Sequence, residues 1–165
     1  MKNKEYKSPF NSSLESGVRA LSILTSIYPK AADLQRIVEL DYLVVHSGDA
    51  NGPESLHAPL PMRAGELLVR RGIVEAGLML MMSRGLVSRI PTEHGIEFMA
   101  GENAGSFVNS FSVPYLMKLR DRAQWVASKY GDAEEQEIKK VTRHFFDKWT
   151  TQFHAVKGML GDAYE

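Results

Sequence analysis

The stretch RAGELLVRRGIVEAGLMLMMSRGLVSRIPTEHGIEFMA, residues 63–100, decides how this chain folds. Its apolar residues fall into two helical runs that meet near Gly72, and Gly85 stops the second of them. Two short runs with strand character follow, LVSRI (86–90) and IEFMA (96–100). Between them, Pro91-Thr92-Glu93-His94-Gly95 has the composition of a turn, because proline presets φ and glycine tolerates positive φ. Helix, turn, helix and hairpin together outline a winged helix-turn-helix. The competing reading is one long buried helix followed by a hairpin, with no recognition role.

The second helical run limits what such a fold can do. A helix that reads DNA from the major groove offers Arg, Lys, Asn or Gln to the base edges. Residues 73–83 contain none of these. Glu75 and Ser83 are their polar positions, and Met79, Met81 and Met82 crowd the rest beside Leu78 and Leu80. A run that is apolar on nearly every face is expected to be buried, in its own core or against a partner. The alternative function is a winged-helix DNA-binding transcriptional regulator. Its support is a set of arginines, Arg63, Arg70, Arg71, Arg84 and Arg89, set against Glu66 and Glu75. On that alternative, contact falls on phosphates rather than on base edges, through Arg84, Arg89 and His94.

The whole-chain figures narrow the classes further. A chain of 165 residues fits one domain with a sizeable core. Lys plus Arg and Asp plus Glu each number 20, so the formal charge is zero. Dominant phosphate binding draws on a basic surplus, and only a local patch is left for it here. The absence of cysteine excludes disulfides and thiolate metal sites and fits a reducing, cytoplasmic compartment. No apolar signal segment follows the basic N-terminus, and no apolar run approaches the ~18 residues of a membrane span.

Outward from the central stretch, the chain reads as helices. Ser12 and Glu15 have capping-box spacing, and Leu14, Val18, Leu21, Ile23, Leu24 and Ile27 supply the apolar side of the helix behind them before Pro29 ends it. A second helix covers about Ala31 to Val45 and is apolar on a broad side, with Asp33, Arg36, Glu39 and Asp41 as its charged positions. After the hairpin, Phe107, Val108 and Phe111 anchor a partly helical segment. Pro114 opens a helix that Gly131 closes. A last helix carries Ile138, Val141, Phe145, Trp149, Phe153 and Val156 at helical spacing. The expected organisation is mainly α with a small β-hairpin. It comprises a flexible arm at 1–10, a winged helix-turn-helix core at 11–101, a C-terminal helical extension at 102–157 and a frayed tail at 158–165.

The loop from His46 to Met62 is long for a compact domain, and loops of this length without secondary structure are often functional. His46, Asp49 and His57 have ligand chemistry, but their spacing matches no tight metal pattern. His46-Ser47-Gly48-Asp49 is not a nucleophilic triad either, so no catalytic residue, metal or cofactor is assigned. The loop runs into a helix that starts with Arg63, Glu66, Arg70 and Arg71. Asp49, His57, Arg63, Arg70 and Arg71 are therefore the candidate partner-binding residues. At least one of the arginines is expected to pin the loop or a partner through a carboxylate, with Asp49 and Glu54 as candidate acids, because the guanidinium fork makes such a bond directional.

Four motifs now bear on identity: SPFNSSLESGVRAL (8–21), YPKAADLQRIVELDYLVVHSGD (28–49), GPESLHAPLPMRAGELLVRRGIVEAGLMLMMSRGLV (52–87) and SVPYLMKLRDRAQWV (112–126). The combination of HSGD, the proline-containing loop with SLH, and RAGELLVRR resembles the middle component of bacterial ABC three-component systems, in the group called middle component 2. The resemblance spans roughly residues 8–130. It implies a winged-helix accessory protein that works beside an ABC-type ATPase and a separate effector in bacterial conflict, including defence against phage. The chain has no GxxxxGK[ST] run, so the ATPase must be the partner. The expected function is a non-enzymatic adaptor acting through protein–protein contacts in the cytoplasm. A homodimer and weak nucleic-acid contact stay open, and no membrane is expected.

Overall fold

A computed structural model of the chain describes residues 12–58 and 66–141, with the side chains of 66–68 left out. The expected N-terminal arm, Arg63, the aromatic positions Phe145, Trp149 and Phe153, and the tail 158–165 lie outside the described residues. The described residues are mostly helical and carry one three-stranded antiparallel sheet.

Helix α1 spans Ser13–Ile27. Ser12 caps it, accepting the Glu15 N–H on its hydroxyl at 3.2 Å. Helix α2 spans Leu34–Val45, and the Asp33 carboxylate caps it by accepting the Arg36 N–H at 2.7 Å. Ahead of α2, Ala32–Asp33 forms strand β1. The sequence gives no sign of it, because two residues have no periodicity. Its conformation comes from its partner strand, with Ala32 opposite Phe98 and Asp33 opposite Glu97.

Helix α3 spans Glu66–Ser83 and runs through Gly72 without a break. The two helical runs and the turn expected between them are therefore one helix, as in the competing reading. A glycine at an exposed helical position costs only about 1 kcal/mol relative to alanine, and no proline accompanies it to break the ladder. Gly85 does end the helix. It adopts φ +70°. Its N–H donates to the Met82 carbonyl at 3.0 Å, and the Leu86 N–H donates to Met81 at 3.0 Å, the paired bonds of a Schellman end. The hairpin follows as β2 (Val87–Thr92) and β3 (Gly95–Ala100), with Gly95 at φ +124° closing the turn. The strand order is β1-β3-β2. Helix α4 (Ala104–Asn109) and helix α5 (Pro114–Tyr130) complete the labelled elements, and residues 135–141 are again helical.

Helix α1 is the centre of the packing and lies against both α3 and α5. One apolar cluster joins α1, α3 and the sheet, around Leu21, Leu24, Ile37, Val74 and Leu78. A second joins α1, α2 and α5, around Ile23, Leu40, Leu43, Leu119 and Val126, and it also takes in Ile138. The run 73–83, expected to be buried in its own core or against a partner, packs into the core on one side of α3. Leu78 and Met81 are buried and Met82 is partly so, but Met79 is 62% exposed. At 100° per residue, Gly77 and Met81 face α1 while Gly72, Ala76 and Met79 face away.

Two glycines set the distance between α1 and α3. A Cβ on Gly77 would stand 2.5 Å from the Gly17 nitrogen and 2.9 Å from its Cα. Both obstacles are backbone, so neither can rotate aside. Gly77→Ala should therefore destabilise the protein by about 1–3 kcal/mol through overpacking, despite alanine's better helix propensity. Urea unfolding would check this, and a midpoint at or above the parent's would contradict the close approach.

One residue of α2 organises the far end of α5. The Arg36 Nη2 donates to the carbonyls of Tyr130, Gly131 and Ala133 at 3.2, 3.2 and 2.8 Å. Tyr130 is the last residue of α5, and Gly131 and Ala133 lie just beyond it, so the guanidinium fastens the end of the helix together with the turn that follows. Lys30 pairs with Asp132 beside them.

Candidate functional site

The helices converge on a buried ionic cluster. Asp41 is fully buried in the middle of α2. Arg19 of α1 donates from Nε to Asp41 Oδ1 at 2.7 Å, and Arg70 of α3 donates from Nη1 to Oδ2 at 2.6 Å. Both guanidiniums are buried too, and that of Arg70 lies 5.7 Å from the centre of the Tyr42 ring. Burial by itself raises a carboxyl, but the two arginines outweigh it and hold Asp41 below its usual range. For Arg19 burial acts downward, and Asp41 and Glu15 more than offset it, so its pKa is raised.

The cluster extends to the long loop through α1 and α5. Arg19 Nη1 donates to Glu15 Oε1 at 3.0 Å, and the Tyr115 hydroxyl of α5 donates to the same oxygen at 2.8 Å. Burial and the bond to Glu15 push the Tyr115 phenol up, so it stays protonated and donating. His57 Nε2 lies 2.8 Å from that hydroxyl and 3.5 Å from Glu15. Because the hydroxyl hydrogen goes to Glu15, Nε2 is the donor to Tyr115 and carries the proton.

More bonds hold the loop on the outside of α2 and α5. The Ser47 hydroxyl donates to the Pro53 carbonyl at 2.8 Å, and the Gly48 N–H donates to Ser55 Oγ at 3.0 Å. Arg122 of α5 donates from Nη2 and Nε to the Glu54 carbonyl at 2.9 and 3.1 Å. Gly52 lies so close beneath the Trp125 ring that a Cβ there would clash with it. The Tyr42 hydroxyl donates to Asp49 Oδ2 at 2.8 Å, and the His46 ring lies 4.7 Å from that of Tyr42 and 6.3 Å from that of His57. Residues 46–58 thus have a fixed shape, starting with a short 3-10 turn at Ser47–Ala50.

The structure brings several of the expected residues together. Asp49, His57 and Arg70 all adjoin this cluster, and His46 lies among them. The carboxylate that Arg70 reaches among the described residues is Asp41, not Asp49 or Glu54, because the guanidinium turns inward rather than toward the loop. Arg71 points outward and donates to Gln35 Oε1 at 3.1 Å. The side chain of Glu66 and the whole of Arg63 lie outside the described residues. Arg84, Arg89 and His94 are exposed at the end of α3, on β2 and in the hairpin turn.

Arg19, Asp41, Glu15 and Tyr115 were not singled out from the sequence. The signal was present for Asp41: an acid inside VELDYLVV, apolar before and after, has to meet a buried cation. Nothing local identifies Tyr115, which is joined to Glu15 from 100 residues away.

Chemically the cluster is a clamp. Its acids and bases neutralise one another, and its central carboxylate is sealed from solvent. Among the described residues no group of three or more His, Cys, Asp or Glu is placed to hold a metal ion. Nor is any helix among them long and apolar enough to cross a membrane.

Comparison with protein families places this architecture. The family model described as ABC-three component (ABC-3C) system Middle Component 2 matches residues 9–152. No curated protein and no solved structure matches the chain.

Proposed function

The chain belongs to the Middle Component 2 family of ABC-3C systems, and from that premise we propose how it makes its contacts. As a middle component it is a non-catalytic adaptor between an ABC-type ATPase and an effector. The partner face on our reading is the loop 46–58 with the adjoining surface of α5, where Asp49 and His57 lie. Arg70 acts from beneath, holding α3 to α2 so that the loop keeps its place.

The observation that carries this reading is the number of independent tethers on the loop. A connector that only spans two helices gains nothing from bonds to Tyr115, Arg122 and Trp125 of a third. A loop fixed before it meets a partner loses less conformational freedom on binding. The scaffold beneath it is best read as a winged helix. The element order α1-β1-α2-α3-β2-β3 and the strand order β1-β3-β2 support that reading, with α3 in the place of the recognition helix. A DNA-binding role gains no support. The outer face of α3 offers Glu75, Met79 and Ser83, and no Arg, Lys, Asn or Gln lies between Gly72 and Arg84.

The test is capture of the co-expressed ATPase and effector by Arg122→Ala. This change releases the loop at Glu54 and leaves both apolar clusters intact. Capture should weaken roughly 3–10-fold, the cost of re-ordering a few freed residues on binding. Circular dichroism should stay unchanged. Full capture by a folded Arg122→Ala would remove the loop from the partner face.

A further inference from the structure

Asn51-Gly52 is the one Asn-Gly pair in the chain, and it lies in the tethered loop just after the 3-10 turn. Asn51 is left-handed, at φ 57° and ψ 29°, and among the described residues it is the one non-glycine with positive φ. Asparagine tolerates that region better than most side chains do. Its N–H donates to the Gly48 carbonyl at 3.2 Å, and the Gly52 N–H donates to the Ser47 carbonyl at 2.9 Å. A Cβ on Gly52 would stand 2.3 Å from the Trp125 ring, so the second position has room for glycine alone. The shape of the turn therefore calls for this pair of residues. In a freely moving chain the same pair reacts with itself, because no side chain on the glycine shields its nitrogen. That nitrogen gives up its proton and attacks the Asn51 side-chain carbon Cγ. The N–Cγ bond forms, the Cγ–Nδ2 bond breaks, and Nδ2 takes up a proton and leaves as ammonia. Water then opens the five-membered succinimide at one carbonyl or the other, giving aspartate or isoaspartate.

We infer that Asn51 is a deamidation site that the loop's tethers hold shut and that release of the loop opens. Three features close it in the folded chain. Ring closure needs the Gly52 nitrogen and the Asn51 Cβ on the same side of the Cα–C bond, and at ψ 29° they stand nearly opposite. The Gly52 N–H is committed to the Ser47 carbonyl. The Trp125 ring lies over Gly52 and blocks the rotation that would bring its nitrogen round. Asn51 itself is exposed, so water reaches it and conformation is the guard. Once the reaction has run, isoaspartate lengthens the main chain by a methylene inside the turn, and the turn cannot re-form as it was. Deamidation is therefore a one-way mark that the loop has opened. The inference rests on the loop's fixed shape and stands whatever the loop binds.

The test follows conversion at Asn51 in the full chain, by peptide mapping with isoaspartate detection after incubation at mildly alkaline pH. The folded parent should convert at least ~100-fold more slowly than the same chain unfolded in guanidinium chloride, because the reaction waits on a local opening. Arg122→Ala frees the Glu54 carbonyl, and Ser55→Ala frees the Gly48 N–H on the other side of the turn. Each should speed conversion roughly 3–10-fold, the scale of one lost hydrogen bond, with circular dichroism unchanged. Exchange of the Gly52 amide proton needs the bond to Ser47 broken, so it should quicken by the same factor in each variant. Conversion in the folded parent at the unfolded rate overturns the inference. So does a folded variant in which Gly52 exchange quickens and Asn51 conversion does not, and so does unchanged conversion in both variants. Partner capture is a separate readout, so the partner face and the deamidation site can fail independently.

Discussion

Asp41→Ala should lower the stability of the fold by about 3–5 kcal/mol. The cost does not lie mainly in the two bonds lost. Without the carboxylate, the guanidiniums of Arg19 and Arg70 remain buried and facing each other with no opposite charge between them. Each must then draw in water or swing outward, which pulls α1 and α3 away from α2. Asp41→Asn keeps the shape and part of the hydrogen bonding, so it separates geometry from charge, and it should fall between Ala and the parent. Replacing Arg19, Asp41 and Arg70 together by apolar side chains of similar volume should cost far less than Asp41→Ala alone, because nothing charged is then left behind. Chemical denaturation of the three variants would check the order. An Asp41→Ala midpoint within experimental error of the parent would mean that the clamp does not hold the helices. The pH dependence has a definite sign. The folded carboxyl ionises below its ordinary value of 3.8. Its contribution is therefore complete above that value and is lost as pH falls through the lower folded one. Asp41→Asn should flatten this acid limb of the stability profile.

Leu78→Ala should cost roughly 2–5 kcal/mol by the usual cavity arithmetic. Leu78 is 1% exposed and sits in the cluster that joins α1, α3 and the sheet. Its neighbours are rigid helix and strand, which collapse poorly into a void, so the upper half of the range is expected. Met79, the next residue, provides the control. Met79→Ala should change stability by less than about 0.5 kcal/mol because its side chain is exposed. Equal losses at the two positions would show that α3 is rotated from the orientation described.

Much of the fold was legible from local pattern. Ser12, Pro29, Gly85, Pro114 and Gly131 each mark a helix boundary through chemistry that acts within a few residues, and the observed ends fall at or beside them. The hairpin was legible for the same reason. The break at Gly72 was misplaced because glycine alone lowers helix stability without forbidding the helix. The strand at Ala32–Asp33 could not be read, since its partner lies more than sixty residues away. The clamp was legible only in part. Asp41 carried a readable signal, an acid in an apolar run, that the sequence analysis did not use, and the choice of Arg19 and Arg70 as its partners depends on how three helices cross. Even the capping box held more than it first offered. Ser12 caps as expected, while Glu15 turns its carboxylate toward Arg19 and Tyr115 and joins the cluster.

The hold of Arg36 on three carbonyls also shapes how the molecule opens. Arg36 lies in the first turn of α2, and the carbonyls belong to the last residue of α5 and to the turn after it, up to 97 residues away in sequence. When either end frays, the guanidinium loses its acceptors or the carbonyls lose their donor, so the two turns come apart together. Amide protons at both places should then exchange with solvent at one shared opening free energy rather than on separate local scales. The chain therefore resists peeling from the C-terminal side of α5, because loosening that end also requires the start of α2, next to the strand at the sheet edge, to let go.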